Sequence, residues 1–135
     1  PTYTGTNTPL TVEVLPLVVQ LYGQDTTRLL GSGRDAVSVT LTTARGTGNQ
    51  GMVNPATIAM SLVSANPLGI VDGFHASSCC DAPQAEFVYP AGTAGLTVYV
   101  GDATTPGTYS IKADLLGGGS ALGGTTTVTP FGWSW

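Results

Sequence analysis

Apolar and polar residues alternate with period two along most of this chain, in runs separated by glycine and proline. In "AVSVTLT" (36–42), Val37, Val39 and Leu41 share one face, with Ser38, Thr40 and Thr42 on the other. "GLTVYV" (95–100) sets Leu96, Val98 and Val100 against Thr97 and Tyr99. "TYSIKADL" (108–115) sets Tyr109, Ile111, Ala113 and Leu115 against Ser110, Lys112 and Asp114. Successive side chains of a strand point to opposite faces, so these runs predict half-buried strands of antiparallel sheets. Weaker alternation marks 10–15, 17–22, 57–63, 85–89 and 125–129 as further strands. Only "PATIAMSLVSA" (55–65) admits a helical reading, with Pro55 at a first-turn position and Asn54 as a cap. Its Ile58, Met60 and Leu62 fall two apart, which predicts a strand. Short strands at this spacing form a β-sandwich or a barrel.

Composition narrows the classes of partner. A chain of 135 residues fits one domain with a real core. Charged residues make up 9% of it, against a usual share of about a quarter, so Thr, Ser, Asn, Gln and backbone must supply most of the polar surface. The net charge is −4, and the four cations, Arg28, Arg34, Arg45 and Lys112, form no cluster in sequence. Phosphate binding needs clustered cations, so the expectation is no nucleic acid and no attraction to anionic membranes. The apolar stretch "VLPLVVQLYG" (14–23) is interrupted by Pro16 and falls well short of the roughly 20 residues that cross a bilayer, so no membrane insertion is expected. No basic start leads into an apolar core and a small-residue cleavage site. With Pro1 as a natural start, from which initiator Met is readily removed, the expectation is a cytoplasmic product rather than an exported one.

A more specific clue is "DATTPGTYSI" (102–111), where the turn Pro106-Gly107 is followed by Tyr109 and an alternating strand. It resembles the tyrosine corner of immunoglobulin-like domains, in which a Tyr near the start of strand F bonds back to upstream backbone. From Leu10 to Thr129 the chain resembles the immunoglobulin-like modules of bacterial surface proteins and bacteriophage virion proteins. "AGLTVYV", "TPGTYSIKA", "GGGSALGG" and "TTTVT" follow the order of strands and hairpin in those modules. The resemblance implies an all-β, antiparallel sandwich of about seven to nine strands over residues 10–130. An extended arm (1–9) would precede it and an aromatic tail (131–135) would follow. One departure stands out. Where antibody-type domains carry a bridging Cys two residues after the corner Tyr, this chain has Ile111, and 36–42 has no Cys either. No inter-sheet disulfide is expected, so packing alone must hold the sheets.

The chain's only histidine and both cysteines lie in "GFHASSCCDAPQAE" (73–86). Adjacent Cys79 and Cys80 diverge in extended chain and lack zinc-ligand spacing. His75 could serve a cysteine nucleophile only if the loop folded back. The cysteines could be singly buried thiols, a vicinal disulfide, or redox-active and cross-linking groups between subunits. Asp72 and Asp81 could hold calcium, but a solvated surface is their ordinary role. The segment reads as a structural loop. "GTGNQG" (46–51) fits a dinucleotide fingerprint in letters alone, because Pro55 and an alternating run follow it instead of a helix. "GGGSALGG" (117–124) reads as a flexible hairpin tip. The remaining carboxylates are scattered. The tail "TPFGWSW" places Phe131, Trp133 and Trp135 on one side of an extended chain, where large aromatics would close the core or dock on a partner.

No catalytic, cofactor-binding or metal-ligating residue is predicted. The expected function is structural, as a virion component such as a capsid decoration protein that binds a repeating surface. Its partners would be other protein subunits, copies of itself or a capsid lattice, with an oligomeric state in assembly. Two other functions fit the same sequence. One is a subunit of an extracellular filament or surface layer, in which a segment such as "LTVEVLPLVVQLY" adds a strand to a neighbour's sheet. The other is a carbohydrate-binding accessory module.

Overall fold

The structure, a computed structural model, describes residues 17–43, 55–92 and 95–130. These residues form nine strands and no helix. The strands are β1 (Leu17–Tyr22), β2 (Thr27–Leu29), β3 (Asp35–Thr43), β4 (Ala56–Asn66), β5 (Phe74–His75), β6 (Glu86–Tyr89), β7 (Leu96–Val100), β8 (Gly107–Leu115) and β9 (Ser120–Thr129). One sheet has the order β1-β3-β7-β5, the other β2-β9-β8-β4-β6. Every pairing is antiparallel except the parallel contact of β2 with β9.

This is an immunoglobulin-like sandwich. The first sheet fills positions A, B, E and D, and the second fills G, F and C with two added strands, β2 beyond G and β6 beyond C. The chain departs from the usual order at one place. β5, at the D position, comes before β6, at the added position beyond C. The chain therefore visits the edge of the first sheet before it returns to the second.

The predicted alternation sets the core. Val37, Val39 and Leu41 of β3 are fully buried, as are Val98 and Val100 of β7 and Tyr109, Ile111 and Ala113 of β8. Each large apolar side chain so buried contributes roughly 1.5–3 kcal/mol of transfer free energy. Ile111 is fully buried where a bridging cysteine would sit, and no disulfide joins the sheets. The segment that admitted a helical reading is strand, as predicted, within Ala56–Asn66, with Ile58 and Met60 inward on β4 and Ser61 exposed. One expectation fails in part. Thr40 and Thr42, assigned to the polar face of β3, are buried as well. Thr40 and Thr42 stand opposite Gln20 and Val18 of β1, and Gly95 lies beside Thr40. "GGGSALGG" forms a hairpin, but only Leu116–Gly119 is its turn; Ser120–Gly124 already belongs to β9. The arm 1–9, the run 10–15, "GTGNQG" and the tail residues Phe131, Trp133 and Trp135 lie outside the described residues.

Candidate functional site

The histidine segment forms the densest polar cluster among the described residues. β5 pairs with β7 at the sheet edge, with Phe74 opposite Val100 and His75 opposite Tyr99. That pairing buries His75 completely. Nε2 of His75 lies 3.0 Å from Asp72 Oδ1, and Nδ1 lies 3.1 Å from the Asp81 carbonyl oxygen. Both partners are acceptors, so whichever ring nitrogen carries a proton has an oxygen to donate to. Asp72 reaches this position because residue 101 is glycine; a Cβ there would collide with Asp72 Oδ1.

Between His75 and Asp81 the chain turns back on itself, and Arg34 closes the turn. Its Nη1 bonds the Asp81 carboxylate and the Ser77 carbonyl (2.8 Å), and its Nη2 bonds the Asp81 carbonyl (3.1 Å). The Asp81 carboxylate also accepts from the Ser77 hydroxyl (2.8 Å) and from Ala76 N–H (3.1 Å). The Arg34 bond, followed by those from Ser77 and Ala76, holds the Asp81 carboxyl well below the usual carboxylate range. A carboxylate so fully occupied is a weak base, and its geometry fixes a loop. Among the described residues, no group of three His, Cys, Asp or Glu side chains is placed to hold a metal ion.

Cys79 and Cys80 lie exposed in this loop and are bonded to each other. The divergence expected of an extended chain does not apply, because Cys80 adopts a left-handed backbone with φ of 78°. Of the fates open to these cysteines, the structure has the vicinal disulfide. While it is intact neither sulfur can cross-link subunits. The loop folds back as a His–Cys pair would have required, but the groups it brings to His75 are Asp72 and Asp81.

A second polar cluster surrounds Tyr109. The residue lies near the start of β8 and is fully buried, as a corner tyrosine would be. Its hydroxyl accepts a bond of 3.0 Å from Arg28 Nη1 on β2, a side-chain partner in place of nearby upstream backbone. Arg28 is itself buried and donates from Nη2 to the Gly33 carbonyl. Asp35 is buried beside them and accepts from Asp25 N–H at 3.1 Å. Burial, reinforced by the like charge of Asp25, raises the Asp35 pKa to about 6.

Sequence reasoning named His75, Asp72, Asp81, Cys79, Cys80 and Tyr109, and the fold gathers the first five in one loop. It gave no role to Arg28 or Arg34. Their partners lie 81 and 47 residues away, a separation that no local pattern encodes.

No family model matches the chain, and no curated protein matches it. Among solved structures it is similar to a fragment of native alpha-2-macroglobulin from Escherichia coli that spans domain MG7 to the C-terminus. That likeness has 16% identity and a TM-score of 0.41, covering 86% of this chain and 17% of that one. It is also similar to a DUF4466 family protein from Parabacteroides merdae, with 10% identity, a TM-score of 0.35, and coverage of 88% of this chain and 45% of that one. The chain thus spans less than half the length of either, and likenesses this distant carry no argument about activity. The strand topology itself makes the chain an immunoglobulin-like β-sandwich.

Proposed function

We propose that this chain is a non-catalytic structural module that acts by binding other protein subunits. In its most specific form the reading is a bacteriophage virion component that decorates a repeating capsid surface. One observation carries the structural part. In the densest ionisable cluster, Arg34, Asp72, His75 and Asp81 are matched to one another or to the backbone of their own loop. Such an arrangement maintains shape. The virion assignment rests on the resemblance of the motifs between 95 and 129.

The outer face of the second sheet fits a docking role. It carries Thr57, Ala59 and Ser61 of β4, Ser110 of β8, and Val88 of β6, which is 60% exposed. Lys112 and Asp114 on the same face pair with each other at 3.6 Å. Glu86 of β6, opposite Ala59, adds an exposed charge to this face, so a partner that covers it offers Glu86 a cation or leaves it at the polar rim.

Immunogold electron microscopy with antibody against the purified chain tests the reading. Regular labelling of phage particles supports the virion role. Labelling confined to cell surfaces or filaments removes it and leaves the structural module. A purified chain that turns over substrate would overturn the non-catalytic reading altogether. The surface-filament reading has an observation of its own in its favour, an edge of β4 past Met60 that no described residue covers.

A further inference from the structure

β4 spans Ala56–Asn66, yet β6 covers only Ala56–Ala59 on its outer side. Just beyond, the chain laces the two sheets together. Gln84 N–H donates to the Phe74 carbonyl, and Met60 N–H donates to the Ala85 carbonyl, both at 2.8 Å. Past Met60 no described residue pairs with this edge. Backbone groups alternate sides along a strand, so with Met60 N–H facing outward, Leu62 N–H and C=O also face outward. No described residue bonds them on that side. The bulge between Val63 and Asn66, with Ser64 at φ 56°, ends this open stretch.

The uncovered edge overlooks a groove of about 350 Å³. Met60, Leu62, Phe74 and Pro83 line its apolar walls, with Asp72 and Gln84 also at its border. Unpaired strand groups above an apolar groove are a template for an added strand, in which alternate side chains fill the groove.

We propose that the occupant is residues 10–15, "LTVEVL", of a second copy of this chain. This inference rests on the assembly reading above and names its partner. The run places Leu10, Val12 and Val14 on one side and is rich in β-branched residues. The competing alternating segment, Phe131 to Trp135, contains Gly132 and follows Pro130, which weakens it as a strand.

Reach excludes a chain's own 10–15. Leu17 stands opposite Thr43, whereas Phe74 of the groove is level with Val100 and Asp35. That is about 27 Å along β3 and about 14 Å across the sheet. Leu15 lies within about 7 Å of Leu17. Pro16 between them interrupts any continuous ladder. Only another molecule can present this run to the groove. Reciprocal exchange of this run closes a two-fold dimer, and one-way addition propagates into a ring or a filament.

The test uses the full chain. Light scattering across concentration is expected to show mass growth, and V12D/V14D should move its midpoint at least tenfold higher. A synthetic peptide of residues 9–16 should compete with growth and slow amide exchange at Leu62. Growth unchanged by V12D/V14D, with no Leu62 protection by the peptide, overturns the groove assignment and leaves the assembly reading standing. Growth lost in a chain ending at Pro130 but retained in V12D/V14D overturns it in favour of the aromatic tail. A chain that stays monomeric and ignores the peptide overturns it as well. If V12D/V14D does not fold, the peptide experiment on the unmodified chain decides.

Discussion

Arg28 and Arg34 stand six residues apart and look alike in sequence, yet they hold the molecule in opposite ways. Arg28 is buried in the sandwich, and its described bonds go to neutral acceptors, the Tyr109 hydroxyl and the Gly33 carbonyl. Arg34, in the turn between β2 and β3 and only 10% exposed at its side chain, reaches the outer loop and meets the Asp81 carboxylate, which remains about one-third exposed. The nearby aspartates divide in the same manner. Burial raises Asp35, while hydrogen bonds led by Arg34 lower Asp81. Burial makes each missing partner expensive, because water cannot replace it; solvent at the loop softens any loss.

The contrast breaks most visibly at Arg28. Arg28→Ala should cost about 2–4 kcal/mol, and Tyr109→Phe about 1–3 kcal/mol, by leaving buried polar groups unpaired. Urea unfolding measures both. If Arg34→Ala cost as much as Arg28→Ala, the division between core and loop would be wrong.

Next in size is the pH dependence set by Asp35. Its folded pKa of about 6 lies above the ordinary value of 3.8, so the folded state binds the proton more tightly. Its contribution is fully present below about pH 4 and is lost as pH rises through about 6, a fall of roughly 2–3 kcal/mol. Asp35→Asn should flatten that limb and raise stability at pH 7. Asp81 has the opposite sign. Its contribution is present above the ordinary carboxylate pKa and is lost as pH falls below it. Unfolding curves from pH 3 to 8 for the parent, Asp35→Asn and Asp81→Asn therefore separate the two clusters.

Smaller again, Arg34→Ala should cost about 1 kcal/mol globally while exposing residues 76–83 to faster amide exchange. Smallest is the disulfide. It closes a ring between adjacent residues, so replacing Cys79 and Cys80 with serine should change stability by about 1 kcal/mol or less. Thermal unfolding with and without reductant checks this.

The long strands were legible because alternation is local. β3, β4, β7 and β8 appear where their patterns place them. β2 and β5 did not announce themselves, since three and two residues are too few to show a period. The candidate site was legible only as a collection of residue types in one segment. The turn that joins the cysteines depends on the backbone at Cys80, and the closure of the loop depends on an arginine far upstream.

The sequence by itself determined an all-β chain, the inward faces of its main strands, and a sandwich held without a disulfide between sheets. Period-two patterning dictates these because burying one face of a strand requires only neighbours in sequence to alternate. Tertiary structure alone decided which arginine enters the core, which aspartate meets a cation and which is desolvated, and that a short stretch of β4's edge past Met60 lies uncovered by any described residue. Those outcomes depend on strands that meet across long separations, where register and loop closure set the contacts.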